Sequence, residues 1–225
     1  MNNCYKKNFN NFDCIIFYEI DEYIHLKNFN NIKPYLNQKQ FKNCQVIRLN
    51  WVYHTDNNLI KYDNRTLRER FPEVEINARN NITKSKVIVK SILKGHIPNI
   101  TINCVHKLNN KLKGCNGFGK SQIIHDIRSY RADYIFYYID HYYCKSLEEF
   151  SQKINKGDVS HYQDKTFKMY RIWQYFSINK LSLEKINYLE KHTKLNLYLY
   201  RNKLLIKKKL INKLHSKANN NYTKF

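Results

Sequence analysis

Short apolar runs alternate with polar turns along the first 140 residues of the chain. Residues 14–18 form a continuous apolar run, which is typical of a strand buried on both faces of a parallel α/β sheet. Residues 45–53 alternate in polarity and predict a second strand. The remaining signals predict a short helix within 32–42, strands at 86–89, 100–105 and 134–139, and a loop at 111–120 that holds three of the five glycines. The pattern favours an α/β fold.

The clearest helix signal begins at Ser146. Ser146 at the N-cap and Glu149 three residues later match a capping box, and Gly157 is a natural stop. After residue 165 the strand signals fade, and helical spacing with dense lysine replaces them. The apolar residues that can share one face of a helix there are Leu204, Ile206, Leu210, Ile211 and Leu214. We therefore predict a domain over residues 1–165 and a basic helical tail over residues 166–225.

The chain is strongly basic, with a formal net charge of +22. Such a charge favours polyanionic partners, which include nucleic acid, anionic lipid and nucleotide diphosphates. The amphipathic segment 195–217 fits contact with a membrane surface. The alternative is a helix packed on the domain with its lysines in water. No RNP, zinc-finger or helix-turn-helix signature occurs, so nucleic acid is not the expected partner.

The six cysteines, at positions 4, 14, 44, 104, 115 and 144, contain no CxxC pair, which disfavours a zinc knuckle. The even count permits disulfides, but several cysteines lie inside apolar runs, and buried free thiols are the favoured expectation. No apolar stretch approaches the roughly 18 residues of a membrane span, and the N-terminus lacks the features of a signal peptide. The expected location is the cytoplasm.

Acidic residues follow the first predicted strand, at Glu19, Asp21 and Glu22. On an extended chain Glu19 and Asp21 point to the same side, whereas Glu22 points back. Carboxylate oxygens are the ligands that Mg²⁺ and Mn²⁺ prefer, and these ions often also hold substrate phosphates. Taken alone, the triplet is a weak signal, and a solvated surface turn is the favoured alternative.

Residues 17–24, Phe-Tyr-Glu-Ile-Asp-Glu-Tyr-Ile, resemble the hydrophobic–D-x-D-E-F block of GT-A glycosyltransferases, specifically family 92 and its family 2-like relatives. Further resemblances follow in the same order along roughly residues 12–160. Residues 50–53 resemble an Asn-Trp-x-x-Phe motif, 69–71 a Glu-Arg-Phe motif, and 90–92 with His106 a Lys-Ser-Ile block and its following His. Residues 140–158 resemble the His-Tyr-x-x-Lys-Ser-x-x-Glu-Phe…Lys-x-x-Arg-Gly block, which is the most specific of the set.

The resemblance implies a partial GT-A fold, of the Rossmann-like nucleotide-diphospho-sugar transferase type. It implies transfer of a sugar from a nucleotide-sugar donor to a glycan or other hydroxyl acceptor. By the same resemblance, the expected donor is a UDP-sugar. Mn²⁺ or Mg²⁺ would be held by Asp21, with Glu19 on the donor or the metal. His106 and His141 are candidates to complete the metal site, and Lys145 to contact the diphosphate. The alternatives are a structural histidine at each position and a solvated lysine.

The resemblance leaves several residue roles open. Arg70 is a candidate donor or acceptor contact, with a structural ion pair as the alternative. Glu69, Asp126 and Asp140 are the candidates for a catalytic base, and the sequence does not choose among them.

Two departures from the family pattern bear on activity. Glu19 stands where the motif has Asp, which adds one methylene to a ligand whose placement matters. Only about a dozen residues precede the first strand, whereas a nucleotide-binding βαβ unit takes roughly 30. We therefore expect an N-terminally incomplete domain: the gene is split or truncated, a second chain completes the fold, or the product is a decayed remnant. The alternatives are a catalytically dead remnant serving as an interaction module and a basic nucleic-acid-binding protein.

Overall fold

The computed structural model describes residues 1–80, 87–104, 106–108, 112–122, 128–129, 132–157 and 165–206. The chain forms two compact units, each assembled from two separate segments. The first unit comprises Met1–His54 and Glu73–Tyr143, and the second comprises Thr55–Pro72 and Cys144–Phe225. The division predicted at residue 165 falls inside the second unit and stays a prediction.

The strands are β1 (Cys14–Ile16), β2 (Glu22–Leu26), β3 (Val46–Tyr53), β4 (Val87–Lys94), β5 (Ile102–Cys104), β6 (Lys107–Leu108), β7 (Gly114–Asn116), β8 (Ser121–Gln122), β9 (Arg128–Ser129) and β10 (Tyr137–His141). The helices are α1 (Asn2–Asn8), α2 (Ile32–Leu36), α3 (Leu67–Arg70), α4 (Ile76–Arg79), α5 (Leu147–Lys156), α6 (Lys165–Ile178) and α7 (Leu183–Thr193). A 3₁₀ helix spans Lys39–Phe41, and residues 198–206 are also helical.

The first unit is built on an open mixed sheet with strand order β1-β4-β3-β10-β2. The central strand β3 pairs antiparallel with β4 and parallel with β10 and β7. Strands β7, β8 and β9 extend this sheet, and β5 and β6 form a separate two-stranded ladder. The coarse prediction of an α/β fold is confirmed.

The prediction of a parallel, fully buried first strand is wrong. Strand β1 is half-buried, lies at one end of the strand order and pairs antiparallel with β4. Its apolar run has another cause, since Cys14 and Ile16 pack against one apolar cluster and Ile15 and Phe17 pack against a second. Alternate residues of a strand point to opposite faces, so an edge strand covered on both sides also has a continuous apolar pattern.

The strand predicted at 45–53 is confirmed as β3, and its residues from Val46 to Val52 are buried. On one face Ile47, Leu49 and Trp51 join the main apolar cluster of the sheet. The strand predicted at 86–89 extends to Lys94, and the aromatic strand predicted at 134–139 begins at Tyr137. The strand predicted at 100–105 is confirmed in part by β5.

The segment predicted as a glycine-rich loop contains β7, which pairs with the start of β3. This pairing places Cys115 opposite Ile47, and Cys115 forms a disulfide with Cys44. The expectation of free thiols is therefore wrong for this pair, which is separated by 71 residues. Cys4, Cys14 and Cys144 are free, but only Cys144 is buried as predicted, since Cys14 is half-buried and Cys4 is exposed.

The second unit contains the helix predicted from local signals. Ser146 caps α5 by accepting a hydrogen bond from the Glu149 backbone, and the Glu149 side chain returns to the Ser146 backbone. The helix ends at Gly157, where φ is +76°. A positive φ is a conformation that glycine adopts without steric cost. The capping-box prediction is confirmed in both its start and its stop.

The described part of the predicted tail is helical, in α6, α7 and residues 198–206. Of the predicted apolar face, Leu204 is half-buried and Ile206 is exposed, while Leu210, Ile211 and Leu214 lie outside the described residues. Among the helices that the structure describes, none combines the length and apolar character needed to cross a bilayer. Membrane-surface contact through 195–217 stays a prediction.

We predict that Ser146→Ala lowers the free energy of unfolding by about 1 kcal/mol, because a backbone N–H at the start of α5 loses its acceptor. The measurement is chemical denaturation of the full chain. Ser177→Ala is the matched control, since Ser177 is exposed on α6 and bonds only to Gln174 O in its own helix. We expect the control to change stability by less than about 0.5 kcal/mol. Equal effects of the two substitutions would contradict the capping role.

Candidate functional site

The acidic residues after β1 form a turn. Glu22 N donates to Glu19 O at 3.1 Å, and Glu22 Oε2 accepts from Glu19 N, also at 3.1 Å. The extended geometry predicted for this segment, in which Glu22 points away, is wrong. A turn brings residues i and i+3 together, so the side chain beside Glu19 is that of Glu22.

The Glu22 carboxylate is buried against the ammonium of Lys90 on β4. Lys90 Nζ lies 3.1 Å from Glu22 Oε1 and 3.8 Å from Glu19 Oε1, and its side chain is only 1% exposed. Burial raises the pKa of Glu22, and the nearby positive charge of Lys90 offsets this only in part. A buried carboxylate and ammonium require each other, because either charge alone in an apolar environment is strongly destabilising.

His141, at the end of β10, completes a group that we call the acid–histidine cluster, consisting of Glu19, Glu22 and His141. One potential ligand atom from each of the three residues lies within 4.8 Å of the others. Glu22 and His141 face each other in the β2–β10 register and are buried, whereas the Glu19 side chain is 58% exposed. The cluster thus has two fixed members and one member that solvent reaches.

Asp21 lies beside this cluster. Its Oδ1 is 3.9 Å from His141 Nε2, and its backbone oxygen accepts a hydrogen bond from Tyr142 N at 3.0 Å. At this distance the Asp21 carboxylate is a charge beside the ring and not an acceptor for a hydrogen bond from Nε2. The structure therefore brings together three of the four predicted metal ligands, Glu19, Asp21 and His141, and adds Glu22.

The fourth predicted ligand, His106, is half-buried and its ring meets Trp51 edge-on, with centroids 4.9 Å apart. His106 Nδ1 lies 2.7 Å from Val89 O, and because a carbonyl only accepts, Nδ1 carries the proton. Burial lowers the pKa of His106, which keeps the imidazole neutral at pH 7. His106 is not a member of the acid–histidine cluster, although it shares Trp51 with it.

Trp51, on β3, is the common contact of the site. Its ring centroid is 5.5 Å from Lys90 Nζ and 4.3 Å from the centroid of His141. Sequence reasoning assigned no role to Trp51, Lys90 or Glu22. All three nevertheless belong to the blocks on which the resemblance was based, and that membership was the available signal.

The candidate bases that the structure describes already contact other side chains. Asp140 is buried, lies 2.7 Å from His54 Nε2 and is 3.7 Å from His25 Nδ1. Glu69 is exposed at the surface and binds Thr66 in the capping box of α3. Asp126 lies outside the described residues. No base is assigned on this geometry.

The two remaining candidates, Arg70 and Lys145, belong to the second unit. Arg70 Nη1 lies 2.7 Å from Glu149 Oε2 and Nη2 lies 3.3 Å from Oε1, which is a two-point ion pair. The structure therefore favours the structural role for Arg70 over a substrate contact. Lys145 precedes the α5 cap and has a φ of +51°; its predicted contact with a diphosphate stays a prediction.

Comparison with known proteins found no matching family model, no matching curated protein and no matching solved structure. Any functional assignment therefore depends on the chemistry of the site itself.

We predict that Lys90→Met lowers the free energy of unfolding by about 3–5 kcal/mol, because Glu22 is left buried without its cation. The double variant Lys90→Met/Glu22→Gln should be more stable than Lys90→Met, since it no longer buries an unpaired carboxylate. Denaturant titration of the single and double variants measures this coupling. Additive effects of the two substitutions would show that the pair does not interact in solution.

We predict that Arg70→Met lowers stability by about 1.5–3 kcal/mol at pH 7 and that this loss shrinks in acid. Burial acts to raise the pKa of Glu149, but hydrogen bonds from Arg70 and Ser146 outweigh it and hold that pKa below the ordinary 4.5. A depressed folded-state pKa stabilises the protein above pH 4.5, and the contribution disappears as pH falls through the lower value.

Unfolding of wild type and Arg70→Met is measured from pH 7 to pH 3. Arg79→Met is the control, because Arg79 and Glu73 form an exposed pair whose loss should matter little at any pH. A difference between wild type and Arg70→Met that stayed constant across this range would contradict the assigned pairing.

Proposed function

We propose that the chain is a metal-dependent glycosyltransferase, which moves a sugar from a nucleotide-diphosphate donor to a glycan or other hydroxyl acceptor. The resemblance to GT-A glycosyltransferases points to a UDP-sugar as the donor. The observation that carries the proposal is the convergence of separate sequence blocks on one place. Glu22, Trp51, Lys90 and His141 come from four blocks that resemble GT-A glycosyltransferases, and they meet in the first unit. If the resemblance were due to chance, there would be no reason for blocks so far apart in the sequence to come together.

The donor atoms of the acid–histidine cluster fit a divalent ion by type. Two carboxylates and an imidazole are a ligand set that suits Mn²⁺ and is also compatible with Mg²⁺. Glu19, Glu22 and His141 would hold the ion, and Asp21 would add a negative charge 3.9 Å from His141 Nε2. When bound, the ion would stabilise the negative charge that develops on the leaving nucleotide diphosphate.

The residues of the chain have their own parts in this proposal. Glu19 is the exposed member of the cluster, so a phosphate-bearing substrate can reach it. Lys90 places a positive charge within 3.8 Å of Glu19, and because its side chain is only 1% exposed it would act on a phosphate near Glu19 through its charge and not by direct contact. The ring of Trp51, with its centroid 5.5 Å from Lys90 Nζ, shields this charge from water on one side.

A second candidate is the catalytically dead remnant that serves as an interaction module. The observation in its favour is that Lys90 already lies 3.1 Å from Glu22, so the buried carboxylate is neutralised without any metal. The Glu at position 19 in place of the motif's Asp points the same way. The two candidates differ in whether the cluster binds a divalent ion and a nucleotide together.

We predict that Mn²⁺ and UDP added together raise the melting temperature of the full chain, because a ligand that binds only the native state stabilises it. At 100-fold excess over the dissociation constant the gain is about 2.7 kcal/mol. Glu19→Gln should remove most of the shift, since it takes away the exposed carboxylate with little change in shape. The readout is differential scanning calorimetry with Mn²⁺ alone, UDP alone and both.

Glu73→Gln is the matched control, because Glu73 is also an exposed glutamate of the first unit and lies outside the cluster. It should leave the shift intact. A shift with Mn²⁺ and UDP that depends on Glu19 justifies an assay of UDP-sugar hydrolysis and transfer. If the folded chain shows no shift, the glycosyltransferase proposal fails for this chain alone and the remnant becomes the better account.

A further inference from the structure

We propose that the open edge of β2 pairs with β2 of a second copy of the chain, so that one sheet continues across a symmetric dimer. Strand β2 is the last strand in the order of the main sheet, and among the strands that the structure describes it pairs only with β10. Its residues 23–26 are exposed or half-buried, so solvent reaches the strand. At the other end of the order β1 has three residues, whereas β2 has five. An open edge of this kind is a template for another strand.

The backbone hydrogen bonds beside β2 show which of its groups face outward. Lys27 N donates to Phe136 O, and Tyr142 N donates to Asp21 O, both at 3.0 Å. In an antiparallel pair, residues whose backbone groups face the neighbouring strand alternate with residues whose groups face away. The odd-numbered residues from 21 to 27 therefore turn their backbone groups toward β10. The even-numbered residues of the strand turn theirs outward, and these are Glu22, Ile24 and Leu26.

Two of the six outward groups are already bonded within the chain. Glu22 N donates to Glu19 O, and Leu26 O accepts from Phe29 N. Across the described part of the chain, the other four outward groups have no hydrogen-bond partner. They are the N–H and C=O of Ile24, the C=O of Glu22 and the N–H of Leu26.

These four groups are complementary to the same four groups of a second copy. When two β2 strands lie antiparallel with Ile24 opposite Ile24, each Ile24 N–H donates to the other Ile24 C=O. In the same register each Leu26 N–H donates to the Glu22 C=O of the other copy. The pairing thus uses every outward group that lacks a partner. A shift by two residues would oppose groups that are already bonded within their own chain, so the register is specific.

The side chains also fit this register. Tyr23 lies opposite His25 of the second copy, and no like charges are opposed within the strand. Beyond the strand Lys27, which is exposed, comes opposite the oppositely charged Asp21. The strand contains neither the lysine nor the proline with which proteins often protect an edge. Because Glu22 belongs to both β2 and the acid–histidine cluster, the second copy would lie beside each cluster.

The net charge of +22 opposes the association of two copies, and salt weakens this repulsion. The Debye length falls from about 10 Å at 0.1 M salt to about 3 Å at 1 M, so the dimer should strengthen as salt is added. A contact through one short strand is small beside the interfaces of stable dimers, and we expect a dissociation constant on the order of 100 μM in high salt. Sedimentation equilibrium of the full chain, at several times this concentration, measures the association. Metal and nucleotide are left out, so the result does not depend on the proposed glycosyl transfer.

Ile24→Pro tests the hydrogen bonds of the pairing. Proline removes the outward N–H of residue 24 and leaves the groups that bond to β10 in place, as proline on an edge strand does. Ile24→Ala is the matched control, because it also shortens the side chain but keeps the N–H. We expect Ile24→Pro to associate at least about tenfold more weakly than Ile24→Ala, since two of the four hydrogen bonds are lost. Circular dichroism checks that both variants are folded.

Cross-linking tests the register without proline. In a Cys4→Ser background, which lacks the exposed thiol, Ile24→Cys places two cysteines directly opposite with Cα atoms about 5.5 Å apart, a distance that a disulfide spans. His25→Cys is the control, since its two copies lie on a diagonal about 7–8 Å apart. We expect oxidation to cross-link Ile24→Cys and to leave His25→Cys largely monomeric.

The proposal is overturned if the wild-type chain stays monomeric at the highest concentration and salt, or if folded Ile24→Pro associates as strongly as Ile24→Ala. It is also overturned if His25→Cys cross-links as readily as Ile24→Cys. The cross-linking result decides if Ile24→Pro does not fold.

Discussion

The first unit depends on the pairing of the central strand β3 along both of its edges. Strand β4 covers one edge, and β7 followed by β10 covers the other. Because its residues are buried, the backbone N–H and C=O groups of β3 have no water to bond with and need these neighbours. The pairing also fixes which side chains point to which face. Trp51 thereby lies beside Lys90 and His141 on one face, and Arg48 is buried on the other. A slip of one residue would exchange them.

The buried carboxylates discussed below lie beside a cationic side chain or beside a side chain that donates a hydrogen bond. In the second unit the Asp56 carboxylate pairs with the ammonium of Lys185, with Nζ 2.9 Å from Oδ1. It also accepts a hydrogen bond from the hydroxyl of Tyr175. In the first unit Glu22 lies against Lys90, and Asp140 lies against His54. The large net charge of +22 is thus compatible with a closed core, because charges that enter the interior do so with partners.

The same pairing of buried charges explains why Lys90 affects whether the acid–histidine cluster can bind a metal ion. A lysine that neutralises Glu22 completes a stable interior and also reduces the attraction of the cluster for a metal ion. Glu19 is the exception, since its carboxylate is largely exposed and lies 3.8 Å from the ammonium. A substrate that approached the cluster would therefore meet Glu19 first, whereas Glu22 and His141 are the buried members that hold the cluster in place.

The sequence by itself determined the features whose causes are local. The start of α5 at Ser146 and its end at Gly157 were predictable, because a cap is made by residues three positions apart. Strand β3 was predictable from its alternation, and the acidic segment and His141 were identified as candidate ligands from their resemblance to a motif. Only the tertiary structure decided that the acidic segment turns, so that Glu22 meets Glu19, and that Lys90 joins them.

The antiparallel placement of β1 and the Cys44–Cys115 disulfide were likewise decided by contacts between segments far apart in the chain. A local pattern states how apolar a residue's surroundings are. It does not state which distant residue supplies them, and at this site the partner determines the chemistry.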